Sequence, residues 1–86
     1  MIRARFEIKV TIKSQIQLIK KLNTKSEAVR TYEGIPKINK KKTFPLMMLN
    51  EINYNLEGEI IDEITIKKNH LNIDKMTVEQ LKIILQ

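Results

Sequence analysis

Residues Gln15–Gly34 read QIQLIKKLNTKSEAVRTYEG, and the choice of fold turns on this stretch. Its apolar spacing predicts two short helices joined by a tight turn. Ser14 and Gln17 form a capping box that opens the first helix, QIQLIKKL. That helix would bury Ile16, Ile19 and Leu22, with Leu18 flanking. Lys20 and Lys21 would sit near its C-terminus, where positive charge suits the helix dipole. Asn23 takes the corner, a place for a left-handed residue. Thr24 and Glu27 cap a second helix from Lys25, with Ala28, Val29 and Tyr32 facing inward. Gly34 as a left-handed cap and Pro36 as a stop would end it.

On the N-terminal side, residues 3–12, RARFEIKVTI, alternate with period two. Ala4, Phe6, Ile8, Val10 and Ile12 share one face; Arg5, Glu7, Lys9 and Thr11 share the other. This is the pattern of a half-buried strand. On the C-terminal side, KINKKK (37–42) is a basic connector. Residues 46–56 fit a strand through Leu46, Met48, Ile52, Tyr54 and Leu56. They also fit a helix through Leu49, Ile52 and Leu56. The strand is favoured because EIIDEITIK (59–67) follows as its hairpin partner. A three-residue turn, Glu57–Gly58–Glu59, would set Leu56 opposite Ile60 and Ile52 opposite Ile64, with Gly58 at positive φ. Thr77 and Gln80 form a further capping box. Beyond it, a helix over 78–85 would bury Val78, Leu81, Ile84 and Leu85.

The expected architecture is therefore α+β: a small winged helix-turn-helix-like domain of N-terminal strand, two short helices, β-hairpin and C-terminal helix. Eighty-six residues make one domain, 1–86. A hydrophobic content of 42% marks a globular chain. There is no cysteine, which excludes disulfides and thiolate metal sites. No uninterrupted apolar run begins the chain, and none reaches membrane-spanning length, so a cytoplasmic protein is expected. The excess of Ile, Lys and Asn suits an AT-rich genome, such as that of a phage or plasmid.

The net charge of +6 is unevenly placed. Residues 1–42 hold 12 Lys/Arg against 3 Asp/Glu, whereas residues 43–86 hold 4 against 7. Such asymmetry points to a polyanionic partner.

Segment 15–34 resembles the helix-turn-helix of the Cro and Xre-type repressors. The resemblance rests on Gln15, Leu18, Leu22 and the Tyr32-Glu33-Gly34 ending with Pro36. It covers about 20 of 86 residues. Ile19, Asn23 and Thr24 depart from that family's pattern, as does a strand ahead of the motif. The resemblance implies double-stranded DNA as partner and a recognition helix that offers Lys25, Ser26, Glu27, Arg30 and Thr31 to base edges. Lys13, Lys20, Lys21, Lys37, Lys40, Lys41 and Lys42 are phosphate candidates, which give affinity without sequence preference. Operator symmetry implies a homodimer, joined through the edge of strand 3–12 or the C-terminal helix.

Catalysis finds little support. His70 is the lone histidine and lies in a polar stretch, while Ser14 and Ser26 read as a cap and an outward helix residue. Glu57, Glu59, Asp62 and Glu63 read as a solvated strand face rather than a cation site. No catalytic residue, metal ligand or cofactor is expected, and no membrane partner. The rival function is a small non-enzymatic module that binds or inhibits another protein, for which a divided charge serves equally well. Scarce aromatics argue against single-stranded DNA or RNA.

Overall fold

A computed structural model describes residues 3–39 and 43–85. Strands β1 (Arg3–Ile12), β2 (Gln15–Leu22), β3 (Lys37–Ile38), β4 (Leu46–Tyr54) and β5 (Ile60–Leu71) form one antiparallel sheet. Its five strands run in the order β2-β1-β4-β5-β3. Helices α1 (Lys25–Glu33) and α2 (Val78–Ile84) contribute Ala28, Tyr32 and Leu81 to the core.

This overturns the winged helix-turn-helix. The stretch 15–22 is a strand, so α1 has no preceding helix to cross. Ser14 caps nothing. Lys13 (φ 50°) and Ser14 (φ 66°) are instead the two central residues of a tight turn that pairs Ile12 with Gln15. Positive φ at both positions marks a type I′ hairpin turn, whose twist matches that of the strands it joins.

The helical spacing of 15–22 has a different cause. The β1–β2 ladder pairs Val10 with Leu18 but Thr11 with Ile16, skipping one β2 position. This bulge puts Ile16 and Ile19 on one face although they stand three apart. Leu18, Lys20 and Leu22 take the other face, opposite Val10, Ile8 and Phe6. A bulged strand thus shows the three- and four-residue spacing of a helix. The tie breaks towards strand because β1, with its alternating apolar face, gains its nearest antiparallel partner by folding straight back.

The second helix forms with the expected start. Thr24 Oγ1 accepts from the Glu27 amide at 3.3 Å, and Ala28 and Tyr32 are buried. Its end differs: Gly34 sits at φ −75°, in the right-handed region, so no left-handed cap is used. The C-terminal capping box also forms, with Thr77 Oγ1 accepting from the Gln80 amide and the Gln80 side chain accepting from the Thr77 amide. Leu81 and Leu85 are buried, but Ile84 is 55% exposed and outside the core expected for it.

The β4–β5 hairpin exists with another register. Ile52 lies opposite Glu63 rather than Ile64, and Tyr54 opposite Ile60. Gly58 does adopt positive φ, 85°. Aligning apolar residues was the wrong criterion, because Ile52 and Glu63 belong to the face away from the core, where a carboxylate finds polar partners. The core itself lies on the other face: Phe6, Ile8, Val10, Met47, Leu49 and Leu71, closed over by Ala28, Tyr32, Leu81 and Leu85. No helix among the described residues is long and apolar enough to cross a membrane.

Candidate nucleic-acid interface

The sheet face away from the helices carries the polar chemistry. Alternation along β1 puts Arg3, Arg5, Glu7, Lys9 and Thr11 there. Register adds Tyr54, Ile52, Asn50 and Met48 from β4 and Lys21 and Ile19 from β2. Glu63, Thr65 and Lys68 follow from β5.

At the centre of this face, Lys9 Nζ donates to Glu63 Oε2 at 2.9 Å and lies 3.7 Å from Glu7 Oε1. Asn50 Nδ2 donates to the same Glu63 oxygen at 2.7 Å. Asn50 Oδ1 is buried without a protein partner among the described residues. The Lys9 hydrogen bond, opposed in part by burial, holds the Glu63 carboxyl below its usual value; the same bond raises the Lys9 ammonium. Apart from Asn50 Oδ1, this cluster pairs its polar groups with one another and ties β1, β4 and β5 together.

Further along the face lies a different arrangement. Arg3 and Arg5 point the same way two residues apart, and Arg3 pairs with Tyr54 across the ladder. With Asn55, Leu56 and Gly58 they line a cleft of ≈ 260 Å³. Because β1 and β2 are antiparallel, the start of β1 meets the end of β2. Lys21, opposite Glu7, therefore stands on the open face diagonally across from Arg5, whereas Lys20, opposite Ile8, is on the helix face and Lys25 opens α1. None of Arg3, Arg5, Lys20, Lys21 and Lys25 forms an ion pair with a described acid.

The other expected contacts are dispersed. Lys25, Ser26, Glu27 and Arg30 are exposed on α1. Thr31 Oγ1, however, donates to the Glu27 carbonyl at 2.8 Å, turning its hydroxyl back onto its own helix. Lys13 is at the tip of the β1–β2 hairpin, seven residues from Phe6 and so roughly 23 Å along the strand at the usual rise. Lys37 is held within the fold: its Nζ donates to the Ile35 carbonyl at 2.9 Å and lies 5.0 Å over the Tyr32 ring and 3.8 Å from Glu33. Lys40, Lys41 and Lys42 lie outside the described residues. The sequence reading left Arg3 and Arg5 out of its candidates, although the alternation of RARFEIKV already puts both on one face.

His70 is half-buried opposite Leu46 and Ile38. No group of three His, Cys, Asp or Glu side chains among the described residues is placed to hold a metal ion. Comparison with known proteins finds no matching family model, no matching curated protein and no matching solved structure.

Proposed function

We propose that this chain is a duplex-DNA-binding accessory protein that holds the phosphate backbone through Arg3, Arg5 and Lys21. One observation carries this reading: these cations share the open sheet face at the start of β1 and the end of β2, and none forms an ion pair with a described acid. Elsewhere the fold does pair its lysines, Lys9 with Glu63 and Lys67 and Lys37 with Glu33. Arginine's planar fork suits phosphate oxygens, and the cleft beside Arg3 and Arg5 admits one. Contacts of this kind give affinity and salt dependence without reading sequence.

Fluorescence anisotropy with a random-sequence duplex, repeated across a salt series, tests the reading. Binding should weaken steeply as salt rises. No binding at low salt overturns it. The second reading, a protein-binding module, is favoured by the exposed isoleucines Ile16, Ile19, Ile60, Ile61 and Ile64. Capture of a protein partner, undiminished when Arg3 and Arg5 are neutralised, would establish that role.

A further inference from the structure

The cleft at the start of β1 offers hydrogen-bond donors and no acid. Arg3 and Arg5 come from β1, Tyr54 ends β4, and Asn55, Leu56 and Gly58 belong to the turn that leads to β5. That turn is set from within. Asn55 Oδ1 accepts from the amides of Glu57 at 3.0 Å and Glu59 at 2.9 Å. The Asn55 amide donates to the Glu59 carbonyl, and the Gly58 amide donates to the Asn55 carbonyl. With Oδ1 occupied, the Asn55 side chain has only its Nδ2 hydrogens left to offer. The Tyr54 hydroxyl and both guanidiniums bond to no other described residue. Glu57 and Glu59 are exposed on the turn, but neither lines the cleft or pairs with an arginine.

Two unpaired guanidiniums match a phosphate monoester, which carries about −1.5 to −2 at neutral pH. An internal phosphodiester, with a single charge, would use half of that. Each arginine fork can hold two phosphate oxygens. The other side chains are apolar in body. Leu56 is 69% exposed and outside the core, and Tyr54 stands beside it in the cleft. The volume of ≈ 260 Å³ lies just under the about 300–1,000 Å³ usual for small-molecule sites, which suits a small ligand with one planar group beside its phosphate. A nucleic-acid base has the flat face that stacks on a tyrosine ring.

We propose that this cleft binds a nucleoside 5′-monophosphate, with the phosphate on Arg3 and Arg5 and the base against Tyr54 and Leu56. Two sources present this group: a free nucleotide and the 5′-phosphorylated end of a strand. The inference shares its arginines with the duplex reading and does not rest on it.

Isothermal titration calorimetry with adenosine 5′-monophosphate tests it. The nucleotide should bind roughly tenfold more tightly than inorganic phosphate, because the base adds its stacking. Adenosine without phosphate should not bind. Arg3→Ala with Arg5→Ala should abolish nucleotide binding, whereas Lys25→Ala with Arg30→Ala, an equal loss of charge on α1, should leave it unchanged. Tyr54→Leu should lower the nucleotide's affinity towards that of phosphate. A hairpin duplex supplies the second arm. Displacement of the nucleotide that is stronger with a 5′-phosphate than with a 5′-hydroxyl assigns the strand end; equal or absent displacement assigns the free nucleotide. No nucleotide binding at millimolar concentration overturns the proposal. So does nucleotide binding no tighter than that of phosphate, or binding that survives the loss of both arginines. Salt-dependent binding of a random duplex is measured separately, so either reading can fail while the other stands.

Discussion

The hydroxyl of Tyr32 donates to Oδ1 of Asn69 at 2.9 Å, fastening the last turn of α1 to strand β5. The Met47 carbonyl lies 3.3 Å from the same hydroxyl, so the bond stands over the middle of the core. Burial, and then the neighbouring Glu33 charge, raise the Tyr32 phenol well above its usual range. Tyr32→Phe should keep the fold and cost about 1–2 kcal/mol, the usual penalty for leaving buried acceptors without a donor. Urea denaturation checks this, and an unchanged midpoint would refute it.

The β1–β2 turn carries a conformational cost. Lys13 and Ser14 both adopt positive φ, which favours Asn and Gly. Lys13→Asn with Ser14→Gly should raise stability by about 1 kcal/mol. A thermal melt that falls instead would show that the native side chains contribute more than the strain removes.

Gly34 presents the opposite case. Its φ is −75°, and an added Cβ would meet the Thr31 and Arg30 carbonyl oxygens at 3.5 and 3.6 Å, ordinary contact distances. Gly34→Ala should therefore be tolerated and gain roughly 0.4–1 kcal/mol by restricting the unfolded chain. Gly58 has φ 85°, and the same change there should destabilise. The two variants, melted side by side, should move in opposite directions.

Stability should depend on pH through Lys9 and Glu63. The Glu63 carboxyl titrates below its ordinary 4.5 when folded, so its contribution is complete above that pH and is lost as pH falls through the lowered value. Lys9 is raised above its ordinary 10.5, so its share is complete below that pH and is lost as pH rises through the higher value. Glu63→Gln should flatten the acid side of the profile and cost about 1 kcal/mol at neutral pH, discounted because Glu63 is partly exposed. Denaturant midpoints measured from pH 7 to pH 3 would expose an unaltered acid slope.

DNA binding should respond to the strands more than to the helix. Arg3→Ala with Arg5→Ala should reduce the slope of log affinity against log salt by roughly 2, near 0.9 per phosphate contact. Arg30→Ala with Thr31→Ala should leave that slope within about one contact of the original. A larger loss from the helix pair would return the interface to α1.

The sequence by itself determined the elements whose signals are local. The strand over 3–12 followed from strict alternation, α1 from Thr24 and its polar first turn, and α2 from the reciprocal Thr77–Gln80 cap. Gly58 at positive φ followed from its place between two strands. Those signals require neighbours only a few residues away. The stretch 15–22 has no such signal, because a bulged strand and an amphipathic helix space Ile16, Ile19, Leu18 and Leu22 alike. Only the need of β1 for an antiparallel partner decides between them. Register across β4 and β5 was settled by tertiary structure too, since Glu63 answers to Lys9, which is 54 residues away. The placing of Lys21 on the same face as Arg3 and Arg5 was likewise invisible in the chain. It exists because an antiparallel hairpin returns the end of β2 to the start of β1.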